Sequence, residues 1–204
     1  MTISTDPPAC PPLADLIAEI RACRVCAAHL PRPPRPILRG EASARLLIIS
    51  QAPGTKAHET GLSFNDRSGD RLRSWLGMTR AQFYDERLIA IAPIGFCYPG
   101  RAPKGGDLPP RPDCAALWQA PLQKAFAAIE LILLVGSYAI DYHLGAGRHP
   151  TMTETVAHYH DYLPRFLPLP HPSWRTTAWE QRHPWFAASL LPDLKSRIAA
   201  LLAG

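Results

Sequence analysis

Arg45-Leu46-Leu47-Ile48-Ile49-Ser50-Gln51-Ala52-Pro53-Gly54 is a short apolar run that stops at a Pro-Gly turn. Its length, its paired isoleucines and the turn signal predict a buried strand of a parallel sheet over residues 45–50. The polar stretch behind it carries His58, Glu59, Gly61, Phe64, Asn65, Asp66 and Gly69. In an open α/β sheet, ligands bind beyond the carboxyl ends of the strands. The loop that follows residue 50 is therefore the first place to look for a site.

Further apolar runs of strand length predict strands at 87–93, 131–135 and 166–169. Helices are predicted around them. Leu13, Leu16, Ile17 and Ile20 fall at helical spacing within 12–23. Ser68 as a cap and Gly77 as a stop bound a helix over 68–77, and Thr79 with Gln82 forms a capping-box pattern for 79–86. Helices follow at 114–129, bent at Pro121, for two turns after Ser137, at 153–162, and at 185–202, bent near Pro192. Strands alternating with helices predict a single-domain three-layer α/β/α sandwich with a central, mainly parallel four-stranded sheet. Residues 1–10 are polar and rich in proline and are expected to be disordered, which leaves 11–204 as the domain.

Composition sets bounds on function. A chain of 204 residues with 47% hydrophobic and 19% charged residues has enough apolar side chains for one well-packed core. Its 23 prolines fix many turns and keep loops out of helices. A net charge of +5 admits a polyanionic partner such as nucleic acid without requiring one. No apolar stretch is long enough to span a membrane, and the N-terminus lacks the basic start and apolar run of a signal peptide. A cytoplasmic location, where disulfides are rare, is the expectation. Neither a GxxxxGKS/T nor a GxGxxG pattern is present, so no phosphate-loop or dinucleotide fingerprint supports a nucleotide enzyme.

The cysteines invite a metal reading. Cys23-Arg24-Val25-Cys26 is a C-x2-C pair, which places two thiolates on one metal or on neighbouring corners of a cluster. Cys97 and Cys114, separated by a loop rich in glycine and proline, complete a four-thiolate set. Ligand count alone leaves zinc and an iron–sulfur cluster both open. Four thiols with no metal are the plain alternative, and Cys10 in the N-terminal segment is a bystander.

Together these features resemble the uracil-DNA glycosylase superfamily, most closely its bacterial and archaeal branch that carries a 4Fe-4S cluster. Ser50-Gln51-Ala52-Pro53-Gly54 is similar to that branch's G-E-A-P-G block. Gly61-Leu62-Ser63-Phe64-Asn65-Asp66-Arg67-Ser68-Gly69 is similar to its G-x-P-F-V-G-x-(A/S)-G block, and His171-Pro172-Ser173 to its H-P-S block. Cys23, Cys26, Cys97 and Cys114 stand in the order of its cluster ligands. The likeness runs from about Leu13 to Trp185. It implies a DNA glycosylase that hydrolyses the N-glycosidic bond of uracil or another deaminated base flipped out of DNA. It implies as well a DNA partner, no membrane and a monomer. Two other readings stay open: a non-catalytic DNA- or damage-binding relative, and an α/β enzyme acting on a free nucleoside.

The resemblance gives each residue a task. Phe64 stacks on the flipped base, and His171 donates a hydrogen bond as negative charge builds on the base. Gln51, with the backbone around Ala52, Pro53 and Gly54, holds the attacking water. Ser173, Trp174 and Arg175 form the turn that fills the gap in the stack and reaches a phosphate, while Arg101 and Lys104 contact the DNA backbone. Two positions depart from the family pattern. Gln51 stands in place of an acid and cannot accept a proton at neutral pH. Pro93 stands in place of the Asn that reads the uracil edge. His58 or Glu59 is therefore expected to supply the base that Gln51 lacks, and Asn65 to supply the paired donor and acceptor that Pro93 lacks.

Overall fold

Strand β1, Leu46–Ile49, is buried along its whole length at the centre of the sheet. The computed structural model describes residues 11–103 and 105–203. The expected disorder of residues 1–10 and the DNA contact assigned to Lys104 lie outside the described residues. The other strands are β2 (Ile89–Ile91), β3 (Leu131–Val135) and β4 (Phe166–Leu169), in the spatial order β2-β1-β3-β4. Every pairing is parallel, with Leu46 beside both Ile89 and Leu131, and Val135 beside Leu169. Parallel strands buried on both faces read as continuous apolar runs, which is why all four are visible in the sequence.

Among the described residues nine α-helices surround this sheet. They are α1 (Leu13–Ala22), α2 (Thr55–Thr60), α3 (Arg67–Leu76), α4 (Arg80–Phe83), α5 (Pro112–Ala125), α6 (Ser137–Leu144), α7 (Met152–Ala157), α8 (Thr176–Arg182) and α9 (Leu191–Ala203). The chain steps from β1 outward to β2, then back past β1 to β3 and on to β4. Right-handed crossovers that run in opposite directions place their helices on opposite faces. So α2 to α4 lie on one face and α5 to α7 on the other. α9 packs on α3 and α1 on α5, which completes the two outer layers of an α/β/α sandwich. No helix among the described residues is long and apolar enough to cross a membrane.

Local chemistry sets the element ends. α3 starts where the Asp66 carboxylate accepts from the Gly69 amide at 3.0 Å, and it stops at Gly77 in the left-handed region. The predicted cap, Ser68, lies two residues too late. α4 carries the expected Thr79/Gln82 capping box but spans only four residues. α5 begins earlier than predicted because Pro112 occupies its first turn, where a missing amide costs nothing. The helix predicted over 153–162 is α7 followed by a separate 3-10 turn at Tyr159–Tyr162. The C-terminal bend is a π-turn at Phe186–Leu190 ahead of α9. The Pro-rich segment before β1 covers the free edge of β2, with Arg39 and Ile91 exchanging backbone hydrogen bonds of 3.0 and 2.8 Å.

This topology fixes where a ligand goes. β1 and β3 are neighbours, yet the chain leaves their carboxyl ends toward opposite edges of the sheet. A crevice opens at such a switch point.

Candidate active site and cysteine cavity

The crevice holds a cleft of ≈ 730 Å³, within the range of a small-molecule site. Its walls bring together Gln51, Ala52, Pro53 and Gly54 after β1, Phe64 and Asn65 before α3, and His171, Ser173, Trp174 and Arg175 after β4. Arg101 and Asp107 reach it from the loop that joins β2 to α5. Residues far apart in the sequence, all but Asp107 expected to share in one reaction, thus face one space.

Phe64 is held by its backbone. Its φ of 57° is the one positive value at a non-glycine position among the described residues, a conformation that costs on the order of 1–3 kcal/mol. Three contacts impose it. The Arg73 guanidinium donates to the Phe64 carbonyl at 3.2 Å, and the Tyr84 hydroxyl donates to the Ser63 carbonyl at 2.8 Å. Gly69 packs so tightly here that a Cβ on it would lie 1.7 Å from the Phe64 oxygen. The ring meets Phe83 edge-on at 6.0 Å, which leaves Phe64 anchored in the core on one side and in the cleft on the other.

His171 is held by the turn after β4. Its carbonyl accepts from the Ser173 amide at 2.8 Å and from the Thr176 hydroxyl. Arg71 donates to the Ser173 carbonyl at 2.6 Å and to the Thr177 hydroxyl at 2.9 Å, and it pairs with Glu180. Gly136, at the end of β3, lets this turn sit close: a Cβ there would be 3.3 Å from that of His171. The ring is open to solvent through the cleft but crowded by protein elsewhere. That desolvation lowers its pKa below the ordinary histidine value, with Asp66 pulling the other way. The shift favours the neutral ring, which carries one N–H to donate.

Gln51 and Asn65 are partly committed. The Gln51 side-chain amide donates to the Leu108 carbonyl at 2.8 Å, tying the loop after β1 to the loop that carries Asp107. The Asn65 side-chain oxygen accepts from Arg80 at 2.7 Å. Trp174 stands at the rim with 79% of its surface exposed, and the Arg175 guanidinium lies 5.6 Å from its ring. So large an exposed ring beside a polar cleft is the kind of side chain that enters a base stack.

His58 and Glu59 do not line the cleft. They sit on α2, a helix that leaves no apolar stripe in the sequence because its only buried residue is Ala57. Glu59 pairs with Arg32 at 3.3 Å, and Arg35 donates to the carbonyls of His58 and Glu59 at 2.5 and 2.9 Å. The His58 ring packs toward Tyr98, and burial lowers its pKa. Neither group is positioned to supply a base in the cleft. Pro93 is buried, and its carbonyl accepts from the Gln119 amide at 2.8 Å.

Asp107 belongs to no motif, and sequence reasoning misses it. It is the only acidic residue between Cys97 and Asp113, and the loss of the acid at Gln51 is the signal to look for one elsewhere.

A second cavity lies away from the cleft. Cys23, Cys26, Cys97 and Cys114 line it together, with Ile20, Leu117 and Trp118 among its walls. Burial pushes the Cys97 thiol up to about 11 and the Cys114 thiol up to about 12, and the neighbouring cysteines add to both shifts. The Phe96 amide donates to the Cys114 sulfur at 3.3 Å. No three His, Cys, Asp or Glu side chains among the described residues close on one point as a single metal ion requires.

A model of the Uracil DNA glycosylase superfamily matches residues 38–195, well over half of the chain. The match runs from the segment covering the β2 edge into α9, and so takes in all four strands and the three motif blocks that form the cleft. By that match and by its parallel four-stranded sandwich, this chain belongs to the uracil DNA glycosylase superfamily.

Proposed function

We propose that the protein is a DNA glycosylase that hydrolyses the N-glycosidic bond of uracil or another deaminated base flipped out of DNA. The observation that carries this reading is the convergence of Phe64 and His171 on one cleft at the switch point of the sheet. Breaking the bond leaves an oxocarbenium-like sugar and an anionic base, so the enzyme must stack the base and stabilise its charge. Phe64 offers a face for stacking. His171, neutral and backed by the braced turn, donates its N–H to the base oxygen on which charge develops. Trp174 and Arg175 at the rim suit the gap in the stack and the nearby phosphate.

One observation favours a second reading, a damage binder that does not cut. Gln51 commits its amide to the Leu108 carbonyl, and an amide takes no proton. Oligonucleotides containing uracil, hypoxanthine or xanthine, incubated with the protein and then treated with alkali, separate the two. Strand breaks at one or more of the lesions are expected. Retained binding with no break at any lesion decides for the binder.

The cysteine cavity supports a 4Fe-4S cluster on the chemistry of its donors. Burial holds the Cys97 and Cys114 thiols protonated on their own, and a metal centre is the partner that stabilises their thiolate form. Arg111 Nε and Trp118 Nε1, on side chains lining the same cavity, are buried without a hydrogen-bond partner among the described residues. A cluster brings sulfide acceptors for such donors; a zinc ion brings none. When bound, the cluster supplies a cross-link between the end of α1 and the β2–α5 loop. Anaerobically prepared protein is expected to be brown and to carry iron, and a colourless protein with one zinc decides for zinc.

A further inference from the structure

We propose that Asp107 is the catalytic base, taking from the attacking water the proton that Gln51 cannot accept. This inference rests on the glycosylase reading above and adds the residue that reading lacks.

The cleft is lined by two carboxylates, Asp66 and Asp107. Asp66 is engaged as the cap of α3, accepting from Gly69. Asp107 has no hydrogen-bonding or ion-pairing partner for its carboxylate among the described residues, so its oxygens are open to water. Its loop is braced. Arg101 and Asp107 pair as an isolated antiparallel bridge, the Ala102 amide donates to the Gly106 carbonyl at 2.9 Å, and the Leu108 amide donates to Gly100 at 2.8 Å. Gln51 then ties the next residue, Leu108, to the loop after β1. This places the Asp107 carboxylate against Gly54, where its Oδ2 would lie 3.3 Å from a Cβ. The acid therefore reaches the Ser50–Gly54 block, in which the family pattern carries its acid at position 51. Gln51 becomes a positioning residue.

The charges around it suit a base. Partial burial of the Asp107 carboxylate against the walls of the cleft raises its pKa, with Arg101 opposing the rise and Asp66 adding to it. His171 and Arg175 are the other charged or titratable groups in the cleft near this loop. Arg175 lies along the loop's turn, its guanidinium 3.2 Å from where a Cβ on Gly106 would stand. A raised pKa makes the carboxylate a stronger base. The step balances. A water O–H bond breaks and its proton goes to Asp107, while the water oxygen bonds to C1′ of the sugar. The C1′–N bond breaks with its electron pair on the base, where His171 meets the charge by hydrogen bonding. The departing base then recovers a proton from Asp107 or from solvent.

The test is single-turnover cleavage of a uracil-containing oligonucleotide across acidic to neutral pH, with binding of an uncleavable analogue measured in parallel. Asp107→Asn keeps the shape and removes the base. Its rate is expected to fall about 100-fold or more. The wild-type rate is expected to drop as pH falls through the raised carboxylate pKa, and this acid limb should vanish in the variant. Analogue binding should stay within a few-fold. Asp107→Ala should regain part of its rate with added formate, which a merely structural role does not allow. An unchanged rate, a persisting acid limb, or a loss matched by lost analogue binding overturns the assignment to Asp107 alone. Absence of abasic product from the wild-type protein on every lesion overturns the glycosylase reading together with it.

Discussion

The cleft and the cysteine cavity are built on opposite principles, although one loop serves both. The cleft is open and polar, and its parts are placed by backbone: a left-handed Phe64, a close-packed Gly69, and a turn after β4 clamped by Arg71. The cavity is apolar, and side-chain sulfur defines it. Between them runs the β2–α5 loop. It starts near Cys97, carries Arg101 and Asp107 to the cleft, and ends in α5 at Cys114. The contrast teaches that the loop has its feet in one site and its tip in the other. Whatever fixes its feet limits how far its tip wanders.

The comparison breaks most directly at His171. If the cleft works by an oriented donor, His171→Ala should lower the cleavage rate about 100-fold or more while leaving any visible cluster band untouched. An undiminished rate removes the donor role. The next test acts from the other side. If the proposed cluster and base hold, Cys114→Ser should abolish the visible band and, by freeing the loop, lower the rate about tenfold through Asp107 while His171 stays in place. Measuring the pH profile of this variant sharpens the point, since a blurred or lost acid limb links cavity to cleft. Equal rates with and without the band separate the two sites entirely. Trp174→Ala reaches only the rim. Affinity for duplex DNA is expected to fall about tenfold, in keeping with the ~1–3 kcal/mol of one base–aromatic stack, with less loss on single strands. The smallest effect belongs to Glu59→Gln. Its pair with Arg32 is exposed and lies off the cleft, so stability should move by less than about 1 kcal/mol. Its cleavage rate should hold within about twofold, and a larger fall would return Glu59 to the site.

The sequence is most legible where burial is two-sided. β3 and β4 match their predicted spans to the residue, because an unbroken apolar run bounded by turns fits little besides a buried strand. β1 loses one residue at each end of its predicted span, and β2 keeps only Ile89–Ile91 of the predicted 87–93, for strand ends fade into loops without a chemical marker. α2 and α8 escape prediction for one reason: Thr-Lys-Ala-His-Glu-Thr and Thr-Thr-Ala-Trp-Glu-Gln-Arg are too short and too polar to show an apolar stripe. The site divides in the same way. Phe64, His171 and Gln51 lie in motif blocks and are legible together. His58 and Glu59 lie near the right block, but α2 carries them off the cleft, where Arg32 and Arg35 engage them. Asp107 sits in a glycine- and proline-rich loop whose sequence carries no periodicity, so only its fold could bring it to Gly54.

The left-handed backbone at Phe64 has a consequence for how this position can change. The ring suits the stacking role proposed for it, while its main chain works against it. Asn or Gly at 64 would relax the backbone and give up the aromatic face. Val or Ile would keep apolar area and deepen the strain, since branching at Cβ fits poorly at positive φ. Stability and activity therefore pull in opposite directions at a single residue. A chain drifting toward greater thermal robustness would tend to lose the aromatic wall of its cleft here first.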